Sequence, residues 1–230
     1  VSCVEKISPL SIQIHFRETL PHLHYTKFLT VPTPIVINGK GIKSINQYYN
    51  KQLSYFKSIL KKQNGLDRSK RLEKLTLKQN NKIKDFMHKA SRYVVNWCVK
   101  HNIDTVIIGK NDNWKQEINL GKRLNQSFVQ IPYDMFIHQL QYKCEEVGIK
   151  IVLTDESYTS GTSFLDGEAP TKENYNKSRR IKRGLFRSNK GILINADVNG
   201  AYQIIKKVSP NAFANGVEGV GLHPVKLNVA

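Results

Sequence analysis

Thr105-Val-Ile-Ile-Gly109 and Ile149-Lys-Ile-Val-Leu-Thr-Asp-Glu156 are the two stretches that decide the fold. Each is a short apolar run rich in β-branched residues, the mark of a buried strand. Between them, residues 132–147 place Met135, Phe136, Leu140, Cys144 and Val147 at helical spacing, with Pro132 in the first turn and Gly148 just past the end. Strand, helix, strand over about fifty residues predicts a βαβ unit, with parallel neighbours and a right-handed crossover. Working outward, residues 44–62 lack Gly and Pro and carry Ile45, Tyr48 or Tyr49, Gln52, Tyr55 or Phe56 and Ile59 three to four apart, with Gly65 placed to cap the end. A second long helix is predicted over 70–101, with Ile83, Met87, Ala90, Val94 and Trp97/Cys98 as its apolar stripe.

The flanks are less regular. Leu10, Ile12, Ile14 and Phe16 alternate with polar neighbours, which predicts a half-buried strand; Pro34-Ile-Val-Ile37 ends at the turn pair Asn38-Gly39. Residues 154–194 are polar and glycine-rich and read as a long loop or ribbon, a kind of segment that is functional or mobile in compact domains. Asn195 is positioned to cap a last helix with Val198, Ala201, Ile205 and Val208 on one face, and the tail after Pro210 reads as irregular.

The charge speaks about partners. Thirty-six Lys and Arg oppose 18 Asp and Glu in 230 residues, a net charge of +18. Nucleic acid is the leading partner class and an anionic membrane surface the weaker one. No apolar run reaches the roughly 18 residues that span a bilayer, so no membrane helix is expected. Three cysteines, Cys3, Cys98 and Cys144, exclude a disulfide scaffold and a four-cysteine zinc site and suit a reducing compartment. There is no phosphate-binding GxxxxGK[ST] loop, no GxGxxG after a strand and no GxSxG elbow, which removes motor NTPases, Rossmann enzymes and α/β-hydrolases.

Asp155 and Glu156 follow directly on a predicted strand, and Asp197 lies in the first turn of the last helix. Carboxylates at such strand ends converge where α/β sheets bind ligands. Two or three of them can hold Mg²⁺, and a pair of ions serves phosphodiester cleavage. The plainer reading is that Asp197 complements the helix dipole and the acidic pair opens a loop. Lys172, Lys177, Arg179, Arg180, Lys182, Arg183, Arg187 and Lys190 are interleaved with Tyr175 and Phe186, a pattern that neutralises phosphates and stacks on bases. His22 and His24 have ligand-like spacing without a third partner. His88 is expected to hydrogen-bond near Asp85 on its own helix, and Cys98 and Cys144 are expected in the core.

Several blocks carry a resemblance. Ile37-Asn-Gly-Lys-Gly-Ile-Lys-Ser-Ile-Asn-Gln-Tyr-Tyr-Asn-Lys51, Lys84-Asp-Phe-Met-His-Lys-Ala-Ser91, Ile108-Gly-Lys-Asn111 with Trp114-Lys-Gln116, and Asn125-Gln-Ser-Phe-Val-Gln-Ile-Pro132 resemble, in order, segments of the TnpB (OrfB) proteins of insertion sequences. Asp155-Glu-Ser-Tyr-Thr-Ser160, Phe164-Leu-Asp166, Arg180-Ile-Lys-Arg-Gly-Leu-Phe186 and Asn195-Ala-Asp-Val-Asn-Gly-Ala201 continue the series, which runs from about 35 to 226.

The resemblance implies an α/β fold: an RNase H-like (RuvC) mixed sheet flanked by helices, with a basic loop insertion before the last helix. It divides the chain into a degenerate first RuvC segment (1–36), a core with a long helical pair and βαβ unit (37–160), the basic insertion in place of a zinc ribbon (161–194), and the last helix with its tail (195–230). It implies an RNA-guided DNA endonuclease of transposons, with guide RNA and a DNA target as partners, Mg²⁺ or Mn²⁺ as cofactor, no membrane, and a prokaryotic cytoplasm as location. Asp197 matches the final RuvC aspartate. The usual glutamate belongs where this sequence has Gly109, and Glu156, one strand over, resembles a relocated replacement; Asp155 is the alternative carrier.

Catalytic and metal-binding roles are therefore expected of Glu156 and Asp197, and nucleic-acid contact of Lys177, Arg179, Arg180, Lys182, Arg183 and Arg187. The first RuvC aspartate has no match, its place being taken by His22. Residues 160–196 contain no cysteine, so no zinc is expected. The chain starts at Val1 and lacks the N-terminal parts of a full TnpB, so the expectation is a fragment or an impaired copy. The alternative is a nuclease-dead nucleic-acid-binding module.

Overall fold

Ser69 opens the long central helix because its hydroxyl accepts a hydrogen bond from Leu72 N (3.3 Å), and Glu73 in the first turn complements the dipole. That helix is α2 (Lys70–Lys100), and the computed structural model describes it within residues 33–110, 131–213 and 220–229. The predicted strand at 10–16, His22 and His24, Cys3, and the blocks around Trp114 and Asn125 lie outside the described residues. The expected stripe Ile83, Met87, Ala90, Val94 and Cys98 is buried throughout.

Before α2 come β1 (Ile35–Ile37) and α1 (Lys40–Asn64), which ends at Gly65 in the left-handed conformation that glycine adopts without penalty (φ +68°). The helix is as expected, and of the paired alternatives Tyr49 and Phe56 are the half-buried members, in line with Ile45, Gln52 and Ile59. Ile42 and Asn46 point at α2, while Tyr48 and Tyr55 are 62% and 58% exposed. Asn46 faces α2 because Gln79 Nε2 donates to its Oδ1 across the interface (2.8 Å), which turns Tyr48 outward.

β2 (Thr105–Gly109), α3 (Tyr133–Glu145) and β3 (Lys150–Thr154) form the predicted βαβ unit. β2 and β3 pair in parallel, from Thr105 opposite Lys150 to Gly109 opposite Thr154. On α3, Phe136, Leu140 and Cys144 recur every fourth residue and are buried. Met135 and Val147, expected beside them, fall on the flank of that stripe and are exposed. The cores of α1, α2, β2, α3 and β3 merge into one apolar cluster.

The segment after β3 is a long loop that ends in a short ribbon, as expected, but it is built around a core of its own. It contains a 3-10 turn (Lys177–Arg179) and an antiparallel pair, β4 (Leu185–Arg187) with β5 (Leu193–Asn195). Together with α4 (Ala196–Val208) it encloses a second core of Phe164, Phe186, Ile194, Val198, Tyr202 and Ile205. The tail is also more ordered than expected: β6 (Val225–Leu227) pairs in parallel with β1. Among the described residues the strands make three two-stranded sheets. The observed class is mixed α/β, and no helix described here is long and apolar enough to cross a membrane.

Candidate functional site

The parallel register of β2 and β3 brings Gly109 level with Thr154, so the two residues that follow β3 emerge beside Gly109. They part company there. Asp155 turns to α4, where Lys207 Nζ donates to its Oδ2 (2.9 Å), and its other oxygen accepts from Ser157 N (3.2 Å) and Ser157 Oγ (2.8 Å). Those bonds, the lysine's foremost, hold the Asp155 carboxyl below its ordinary range.

Glu156 turns the opposite way. A Cβ placed on Gly109 would lie 3.1 Å from Glu156 Cβ, 3.3 Å from Glu156 Oε2 and 2.5 Å from Ile204 Cδ1. Glu156 and Ile204 thus fill the space that a side chain at 109 would need. Burial, and then the neighbouring Asp155 charge, push the Glu156 carboxyl above its usual value.

Asp197 stands in the first turn of α4, but it is not the cap. Asn195 Oδ1 takes that role, accepting from Asp197 N (2.9 Å) and Val198 N (3.1 Å). The Asp197 side chain is half-buried, and desolvation raises its carboxyl even though Arg180 and Arg183 pull in the other direction. Seven residues separate Asp197 from Ile204, two turns or about 10 Å on one face of α4. That face is the one that meets Gly109 and Glu156. Glu156 at the strand end and Asp197 in the first turn of α4 are thus two desolvated carboxylates on the elements that meet at Gly109, with two arginines near the aspartate.

The basic stretch divides. Lys177, Lys182, Arg183 and Arg187 are exposed, and Arg180 is half-buried. Arg179 differs: its guanidinium is paired with the Glu168 carboxylate, and both side chains are largely covered (15% and 16% exposed). Glu168 also accepts from Ser163 N (2.8 Å) and Asn189 Nδ2 (3.1 Å). Burial would raise this carboxyl, but the arginine and the other donors bring it below its usual range. Arg179 is thereby a holding residue of the insertion.

Two features had no sequence expectation. Tyr158, two residues after Glu156, has a left-handed backbone (φ +66°), which costs energy in any residue but glycine. Its exposed ring meets Tyr175 edge-on at 5.9 Å, and Tyr175 covers Gly161. Asn199 is fully buried and works as a backbone substitute: its Oδ1 accepts from Phe164 N (3.0 Å) and its Nδ2 donates to Thr162 O (2.8 Å).

His88 is a correction. Asp85 pairs with Lys89 (3.0 Å), while His88 faces the buried Lys143 of α3, whose Nζ donates to His88 O (2.9 Å) and Ser91 Oγ (2.7 Å). Desolvation first, and the Lys143 charge next, lower the His88 pKa. Cys98 and Cys144 sit in the core as expected, and burial pushes their thiols up to about 12 and about 11.

Two family models match the chain in succession. Residues 25–115 match OrfB, described as "Probable transposase", and residues 133–204 match "Cas12f1-like, TNB domain". The CRISPR-associated endodeoxyribonuclease Cas12f1 of Sulfoacidibacillus thermotolerans is 30% identical over 118 residues, covering 51% of this chain and 25% of that protein. The match thus spans about a quarter of that relative's length. A solved CRISPR-Cas12f ternary complex is similar over 69% of this chain and 32% of the other, with a TM-score of 0.50 at 21% identity, a likeness of fold. A Cas12f1-sgRNA-target DNA complex gives 0.49 at 22% identity over 69% and 41%.

Proposed function

Because the chain belongs to the TnpB (OrfB) family, we propose that it is the RNase H-like, RuvC-type part of a transposon-associated, RNA-guided DNA endonuclease. The observation that carries this reading is the placement of Glu156 over Gly109. The resemblance puts the family's glutamate at position 109. In this chain the Cβ of such a residue would lie 3.1 Å from that of Glu156 and 3.3 Å from its Oε2, so the relocated carboxylate takes up the space beside position 109.

In this reading Glu156 and Asp197 would each offer a carboxylate to a divalent cation. Both are oxygen donors in a half-buried setting that disfavours their bare charge, and Mg²⁺ is commonly held by one or two carboxylates with water and phosphate completing the shell. When bound, such an ion supplies an activated water and stabilises the leaving oxygen of the phosphodiester. Arg180 and Arg183, near Asp197, neutralise the phosphate being cut. Lys177, Lys182 and Arg187 hold the flanking strand through charge, and the exposed face of Tyr158 offers a surface for a base. A guide RNA and a DNA target are the partners in this reading, and the prokaryotic cytoplasm is where they meet.

The test is Mg²⁺- or Mn²⁺-dependent DNA cleavage by the RNA-loaded chain, with Glu156→Gln and Asp197→Ala alongside. Both variants should abolish cutting, and Mg²⁺ should raise the Tm of the wild type more than that of either variant. Cutting that survives Asp197→Ala, or equal Mg²⁺ shifts in all three, would overturn the assignment. The nuclease-dead module is the second reading, favoured by His22, which stands where the resemblance places the first RuvC aspartate. In that case the wild type binds without cutting, and His22→Asp tests whether one carboxylate restores cleavage.

A further inference from the structure

The basic insertion holds little of the charge. Residues 154–194 carry eight Lys and Arg against five Asp and Glu, a net of +3. Residues 40–100, which are the α1–α2 hairpin, carry sixteen against three, a net of +13 of the chain's +18. Most of these side chains are exposed, and they are not spread evenly. Lys74, Lys78 and Lys82 recur every fourth residue along α2, so their Cα atoms stand about 6 Å apart in a line. Asp85, the acid nearest that line, is engaged by Lys89.

Beside the lysine line runs a groove of about 330 Å³ between the two helices, lined by Ser44, Tyr48, Tyr49, Leu75, Lys78 and Gln79, among others. Tyr48 stands out from it at 62% exposure, and Tyr55, nearly two turns further along α1, at 58%. Exposed tyrosines on a helix surface add apolar area to water without stabilising the fold, while their rings stack on unpaired bases. The groove also presents the exposed Ser44, whose hydroxyl can give and accept the hydrogen bonds of a ribose 2′-hydroxyl, while Tyr49 and Gln79 are engaged with Thr76 and Asn46.

We propose that the α1–α2 hairpin is a second nucleic-acid surface, one that takes single-stranded RNA with Lys74, Lys78 and Lys82 on successive phosphates and Tyr48 and Tyr55 against bases. It is separate from the Glu156–Asp197 site and stands whether or not that site cuts. An RNA duplex hides its bases from the tyrosines, and DNA lacks the hydroxyl, so single-stranded RNA is the one ligand that uses every group named.

The test is fluorescence anisotropy of a labelled single-stranded RNA on the full chain across a salt series. Replacing Lys74, Lys78 and Lys82 together with Ala should weaken binding at least tenfold. It should also flatten the slope of log K against log salt by about 2, the value for three single-strand phosphate contacts. Tyr48→Ala with Tyr55→Ala should weaken binding several-fold at unchanged slope. A control with Lys100, Lys150 and Lys226 replaced by Ala removes the same net charge from exposed positions away from the lysine line, and it should lose much less. All these positions are exposed, and circular dichroism melts check that each variant folds. An equal loss in the control, or binding of duplex RNA or of a DNA strand as tight as that of single-stranded RNA, would overturn the proposal.

Discussion

In the α1–α2 hairpin and the βαβ unit, apolar residues recur at every third or fourth position and each element buries one stripe. From Gly161 to Asn195 there is no such period, and the chain is held by side chains of α4 that reach across to it. Asn199 bonds Phe164 N and Thr162 O, Gln203 Nε2 donates to Glu168 O (3.1 Å), and Lys206 donates to Gly167 O. Three polar residues at helical spacing on α4 thus take up carbonyls and amides that a sheet would otherwise satisfy. The lesson is that a segment without periodicity can be ordered when one periodic helix next to it carries its hydrogen bonds.

The two modes of construction break differently. The largest loss is expected from Phe164→Ala, which empties the second core between Tyr202 and Phe213 (ring centroids 4.7 Å from each); about 3–5 kcal/mol should appear in denaturant unfolding. Next comes a paired experiment. Asn199→Leu strands two buried backbone groups and should cost about 2–4 kcal/mol. Asn46→Leu with Gln79→Leu removes both partners of a side-chain pair and should be neutral or stabilising. Equal costs at the two places would erase the distinction drawn above.

A third comparison uses pH. Glu168 has a folded pKa below its ordinary 4.5, so its contribution is present above that value and is lost as pH falls through the lower, folded pKa. Glu168→Gln should therefore cost about 1.5–3 kcal/mol at pH 7 and progressively less in acid. Glu156 has the opposite sign: its folded pKa is raised, so its charge weighs against the metal-free fold as pH rises past that value. Glu156→Gln should raise the metal-free Tm at pH 7 and leave it unchanged well below pH 4. Thermal melts across pH 3–8 separate the two. The smallest effect is expected from Lys89→Ala, which removes an exposed i,i+4 pair with Asp85 and should stay within about 0.5 kcal/mol.

What the sequence made legible follows the same division. The α2 stripe, the ends of α1 at Gly65 and of α4 at Asn195, and the parallel strands 105–109 and 150–154 all rest on local patterns, and each is where the pattern put it. The insertion was not legible because its partners are distant, Phe164 with Asn199 being 35 positions apart. β6 was not legible because Val225-Lys-Leu227 is too short to announce itself without β1. At the candidate site, the sequence named Asp155, Glu156 and Asp197 but left open which of the acidic pair belongs with Asp197. Lys207 pairs with Asp155, a contact no spacing rule contains. The weight of charge on α1 and α2 is countable in the sequence but spread along 61 residues, whereas the run at 177–187 is dense and stands out.

The pairing of β1 with β6 has a bearing on how the chain is made. Asn38 N donates to Leu227 O (2.8 Å) and Asn38 Nδ2 to Asn228 Oδ1 (2.8 Å), across 190 positions. At translation speeds of about 5–20 residues per second, Ile35–Ile37 leaves the ribosome on the order of ten to forty seconds before the strand it pairs with exists. The hairpin and the βαβ unit, built from near neighbours, can form in that interval. Closure of β1 on β6 then comes after those units, and until it happens an apolar strand with Ile35, Val36 and Ile37 waits on the nascent chain with an open edge.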